Sequence, residues 1–112
     1  MYEVEISNDW DGQVLTPSSG RITGPSGEET YYNLPMDTVI SYMKLQGFDY
    51  EYEIRADGVK TYGGYVMVAA DQSIPGRELG KTIQTSLGLG IVCDTGAFIY
   101  DDPYQLDIAV TW

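Results

Sequence analysis

The stretch "VCDTGAF", residues 92–98, raises the question on which the chain turns. An apolar run, "GIVC", ends on Asp94, and Thr95 and Gly96 follow. Continuous apolar runs of this length suit a strand buried on both faces, so Asp94 falls where a buried strand surfaces. A carboxylate there is half of an aspartic-protease dyad, part of another acid site, or the polar end of an ordinary strand. Asp-Thr-Gly is by itself a good turn sequence.

The protease reading fails on order along the chain. A protomer of this size could dimerise and let two such aspartates share one proton. Retroviral-type proteases, however, carry the triplet early, and a flap and a second hydrophobic-hydrophobic-Gly segment must follow it. Here only residues 97–112 follow Gly96. One protomer is therefore expected to hold its whole site, and a monomer is expected.

Working outward from residue 92, strands dominate. "YVMVAA" (65–70) is a second continuous apolar run. "QLDIAVTW" (105–112) alternates, with Leu106, Ile108, Val110 and Trp112 on one face and Asp107, Ala109 and Thr111 on the other. "YEYEIR" (50–55) alternates as well, and "ADG" (56–58) makes a turn into "VKTY". "YEVEI" (2–6) sets Tyr2, Val4 and Ile6 against two glutamates. Residues 7–20 are turn-rich around Val14 and Leu15. One helix is expected near 35–46, where Met36, Val39, Ile40 and Met43 recur at helical spacing. Pro35 can open it, Gly47 can close it, and Asp37 and Lys44 suit its dipole. Many short strands with one inserted helix predict an all-β domain closed as a small barrel.

Composition narrows the chemistry. The 112 residues are 43% hydrophobic, enough for one compact domain spanning 1–112. Seventeen acids against six bases give a net charge of −11, which suits solubility and repels phosphate backbones, so no nucleic-acid partner is expected. No apolar run is long enough for a membrane segment. The start, "MYEVEISNDW", reads as a strand and carries no leader pattern. Histidine is absent, which removes Ser-His-Asp and Cys-His catalysis and His-based zinc sites. Cys93 has no cysteine partner and no activating base, so it reads as a core residue. "GRELGKT" (76–82) is one residue short of a phosphate loop and runs into the β-branched "IQTS". "DWDG" (9–12) lacks the distal glutamate of a calcium loop. No metal and no cofactor are expected, and acid–base work falls to Asp, Glu, Tyr or Lys.

Three aspartates remain, each in a defined setting: Asp71 in "VAADQSIP", Asp94 in "GLGIVCDTG" and Asp107 in "QLDIAVTW". Over residues 65–110 this ordered set resembles the 3D domain, named for its three aspartates. That domain occurs in bacterial stationary-phase survival proteins, in peptidoglycan-remodelling factors and in membrane-bound lytic transglycosylase A. "ETYYNLP" stands where the family has a Thr-Ala-Tyr strand, which makes Thr30 and Tyr32 groove residues. The chain departs from the family at Ala97, in place of a second glycine, and at Gln105-Leu106, in place of a basic residue.

The resemblance implies a six-stranded double-psi β-barrel and a location outside the cytoplasm, at the cell wall. It implies lytic transglycosylase activity on a peptidoglycan glycan strand. In that reaction the muramic acid 6-hydroxyl displaces the β-1,4 bond to N-acetylglucosamine and leaves a 1,6-anhydro product. The nucleophile belongs to the substrate, so one carboxyl serves as acid and then base. Asp107 takes that role, with Asp94 and Asp71 as neighbours that raise its pKa and orient the sugar. Thr30, Tyr32, Thr95, Gly96, Tyr100 and Tyr104 are the expected substrate contacts. Tyr31 adds a further flat face for a sugar ring, although tyrosine in small β proteins also serves strand packing. The alternative from another class is a non-catalytic glycan-binding module on the same fold.

Overall fold

The computed structural model describes residues 10–112, so the strand expected at 2–6 and Asp9 of "DWDG" lie outside the described residues. Eight strands and one α-helix follow in the order β1 (Ile22–Gly24), β2 (Gly27–Tyr32), α1 (Asp37–Leu45), β3 (Tyr52–Ile54), β4 (Lys60–Tyr62), β5 (Tyr65–Ala69), β6 (Thr82–Thr85), β7 (Gly88–Asp94) and β8 (Leu106–Ala109). A 3-10 turn at Ala97–Tyr100 joins β7 to β8. The fold is mainly β, and none of the described helices is long and apolar enough to cross a membrane.

β5 is the centre. It runs parallel to β7, and its opposite edge is shared by β4 at its start and β8 at its end. β8 pairs in parallel with β2, which pairs with β1; β6 pairs with β7, and β3 with β4. Both apolar runs are covered on two sides. Val66, Val68, Val92, Leu106, Ile108 and Val110 pack in one cluster with Leu15, Ile22 and Val59. Met67, Ile91, Cys93 and Ala109 pack in another, under the helix.

The helix forms where the spacing places it. Met36 and Met43 are buried in the second cluster, and Val39 and Ile40 pack against it. Its end is set by Gly47, whose φ of 97° only glycine adopts without strain, and by Phe48 N–H donating to the Met43 carbonyl at 2.9 Å. The hairpin through "ADG" is also present, with Gly58 N–H donating to the Arg55 carbonyl at 2.9 Å.

Among the described residues the strand pairs do not close into a ring, whereas the sequence predicts a small closed barrel and the family resemblance six strands. Side chains span the seam between the β1–β2 and β6–β7 hairpins instead. Ser26 Oγ donates to the Gln84 carbonyl at 2.7 Å. Glu29, fully buried, accepts from Ser86 N–H at 2.8 Å and from Ser86 Oγ at 2.6 Å. Arg77 donates to the Ser26 carbonyl at 2.7 Å.

Candidate functional site

Four residues stand in lateral register at the site; Ala69, Asp94 and Asp107 line its cleft, whereas Thr30, an expected substrate contact, stands outside the lining. Thr30 on β2 pairs with Asp107 on β8, Asp107 with Ala69 on β5, and Ala69 with Asp94 on β7. Residues in direct register share a face, so these side chains stand in one row across four strands. Strand alternation alone puts Asp107 in that row, opposite in face to Leu106 and Ile108. Asp94 needs something more. Ile91 and Cys93 face the second cluster and Val92 the first, so regular alternation sends residue 94 to the first. The β5–β7 register slips between Val68 and Ala69, which leaves Cys93 as an extra residue and brings Asp94 opposite Ala69. A bulge re-aims the carboxyl. Ala69, with only a methyl group, keeps the space between the two aspartates open.

The row opens into a cleft of about 330 Å3. Asp94, Asp107, Ala69 and Tyr32 line it, and Leu34, Thr95, Gly96, Ala97 and Phe98 form its walls. The volume lies at the lower end of ligand sites.

The two carboxyls are engaged unequally. Asp94 accepts at both oxygens, from the Tyr32 hydroxyl at 2.9 Å and from Thr95 N–H at 2.9 Å. Burial and the Asp94 carboxylate push the Tyr32 phenol far above its ordinary range, so it stays a donor. Asp107 accepts at Oδ1 from the Thr30 hydroxyl at 2.8 Å, and its Oδ2 accepts no hydrogen bond among the described residues. Burial raises the Asp107 pKa, the Thr30 hydrogen bond opposes the rise, and the negative charge of Asp94 adds to it.

Asp71 is not brought into the cleft. Its Oδ1 accepts from Ser73 N–H at 3.0 Å and Ser73 Oγ at 2.6 Å. The Ser73 hydroxyl, the Ser73 amide and the positive Arg77 hold its carboxyl below the usual range. Of the carboxylates expected to act on Asp107, only Asp94 does. The reason is local: an Asx turn at residues 71–73 captures the side chain before it can reach the row. Tyr100 (85% exposed) and Tyr104 (59% exposed) also stand outside the lining. Tyr104 lies under the Arg77 guanidinium, 5.5 Å from its ring centre. Tyr31 meets Trp112 edge-on at 5.0 Å.

Leu34, Ala97 and Phe98 carry no chemical signature in the sequence beyond their nearness to Tyr32 and Asp94. Gln105 is a further member. Its amide nitrogen donates to Thr30 Oγ1 at 2.7 Å, and its oxygen accepts from Arg21 at 3.2 Å. Cys93 is buried, and burial pushes its thiol up to about 12, which leaves it a core residue. Among the described residues no group of three or more His, Cys, Asp or Glu side chains is placed to hold a metal ion. Comparison of the chain with protein-family models, with curated proteins and with solved structures finds no match.

Proposed function

We propose that this chain is a lytic transglycosylase of the 3D-domain kind, acting on peptidoglycan glycan strands outside the cytoplasm with Asp107 as its single acid/base. The six-stranded double-psi barrel belongs to the same proposal. The observation that carries it is the unequal engagement of the two carboxyls in one open cleft. A glycosidase that uses a protein nucleophile or activates water needs two working carboxyls. Here Asp94 is tied at both oxygens, which leaves one group for proton transfer.

The steps then balance with one carboxyl. Protonated Asp107 gives its proton to the glycosidic oxygen, and the bond from that oxygen to the muramic acid anomeric carbon breaks. The 6-hydroxyl of the same sugar bonds to that carbon, and the Asp107 carboxylate takes its proton. No water is consumed, and Asp107 ends protonated. Burial and the nearby Asp94 favour the protonated form of Asp107 that the first step requires. Tyr32 and Thr95 hold the Asp94 carboxyl in place beside it.

The test is digestion of purified peptidoglycan by the wild type and by Asp107→Asn, with products weighed by mass spectrometry. The expected product is one water lighter than the hydrolysis product, and Asp107→Asn should abolish it. Hydrolysis products refute the mechanism, as does full product yield from Asp107→Asn. Saturable glycan binding without cleavage would point to the non-catalytic module instead.

A further inference from the structure

Three hydrogen bonds run in one direction from the surface into the site. Arg21 Nη1 donates to Gln105 Oε1 at 3.2 Å, Gln105 Nε2 donates to Thr30 Oγ1 at 2.7 Å, and Thr30 Oγ1 donates to Asp107 Oδ1 at 2.8 Å. The direction follows from the groups themselves. A guanidinium only donates, so Arg21 selects the oxygen end of the Gln105 amide. That turns the amide nitrogen, also only a donor, to Thr30. The Thr30 oxygen must therefore accept, and its single proton is left for Asp107.

We propose that Gln105 is a positioning residue for the acid/base: it locks the Thr30 hydroxyl proton onto Asp107 Oδ1 and reserves Oδ2 for the proton exchanged with substrate. A protonated Asp107 cannot carry its proton on Oδ1 without facing the Thr30 proton. Oδ2 is the oxygen that accepts no hydrogen bond among the described residues. Gln105 is only 7% exposed, so water does not compete for its amide. At the outer end Arg21 is held by Glu28 at 2.9 Å and Asp102 at 3.4 Å. The other groups facing Asp107 are Asp94 from β7 and Tyr32 from β2, while β5 presents Ala69.

The role as acid/base rests on the reading of the site above, but the relay can be measured without catalysis. Gln105→Glu replaces a donor by an acceptor. The Thr30 hydroxyl then turns to the new carboxylate, and Asp107 Oδ1 becomes the proton-bearing oxygen. Followed by carboxyl 13C NMR, the Asp107 titration midpoint should rise by about one pH unit. Release of the anhydro product should fall about tenfold or more, even where Asp107 is protonated. In a Thr30→Val background the same change at 105 should move the midpoint by less than half as much, because the relay is already cut. Thr30→Ser keeps the hydroxyl and should restore the full movement, which separates the relay from any general damage to the fold. An equal movement with and without the Thr30 hydroxyl shows a through-space charge effect and overturns the proposal, as does no movement at all. If the relay behaves as expected and the wild type releases no anhydro product, the relay stands and the proposed reaction is wrong.

Discussion

Glu29 offers a test of the structure that is independent of function. It is an acid with no exposed surface, packed on the face of β2 that meets Ile22 and Leu106, and it forms no salt bridge among the described residues. Its oxygens take the amide and hydroxyl of Ser86, tying β2 to the β6–β7 turn. Burial raises its pKa, and the two Ser86 hydrogen bonds only partly offset that. Removing the side chain in Glu29→Ala leaves two buried donors unpaired, each worth about 1–3 kcal/mol, so about 2–6 kcal/mol in all is expected. Glu29→Gln is the sharper change, since it keeps the shape and imitates the protonated acid. The sign follows from linkage. A carboxyl whose folded pKa is raised binds its proton more tightly folded than unfolded, so the stability it contributes is full below the unfolded value and is lost as pH rises through the folded value. The stability of wild type relative to Glu29→Gln should therefore fall from near the ordinary value of 4.5 up to the raised folded one. Its slope cannot exceed about 1.4 kcal/mol per pH unit. Urea unfolding of both proteins, followed by tryptophan fluorescence from pH 4 to about pH 8, measures this directly. The comparison cancels Asp57, Glu28 and Asp71, whose lowered pKa values act in the opposite sense. A difference that stays flat or rises with pH would refute the buried, uncompensated carboxyl.

Asp94→Asn removes a negative charge that helps to raise the Asp107 pKa, so the alkaline limb of the pH–activity profile should move to lower pH. Ala69→Leu fills the gap between Asp94 and Asp107, and should abolish glycan cleavage and weaken glycan binding measured by calorimetry. Cys93, buried and with its thiol pushed up to about 12, should resist alkylation at neutral pH until the protein is unfolded. Incubation with a strong chelator should leave glycan cleavage unchanged, because the proposed steps run on carboxyl and hydroxyl groups alone. Loss of cleavage restored by zinc or calcium would sink that scheme.

Local patterns in the sequence determined a good deal of the molecule. Helical spacing at Met36, Val39, Ile40 and Met43 placed α1, and "ADG" placed the hairpin from β3 to β4. The two continuous apolar runs became strands covered on both faces, because a backbone with apolar groups on alternate sides finds no water-facing side. Alternation in "QLDIAVTW" told which way Asp107 faces. These are short-range properties, set by the geometry of a few successive residues.

Tertiary structure decided the rest. A bulge at Cys93 turned Asp94 into the row with Asp107, and a register slip between two strands has no signature in either strand alone. Asp71 looks equivalent to the other two aspartates in sequence, yet Ser73 captures it. Arg21 and Gln105 lie 84 residues apart, and the pairing of β2 with β1 on one side and β8 on the other brings them together. Glu29 shows the same limit from the other side. In "GEETYY" its alternation with Thr30 gives its face, but that this face is dry depends on the β6–β7 turn folding over it. Whether a polar side chain becomes a solvated surface group, a buried clasp or an acid depends on what distant segments place around it, because charge is governed by surroundings and not by residue type.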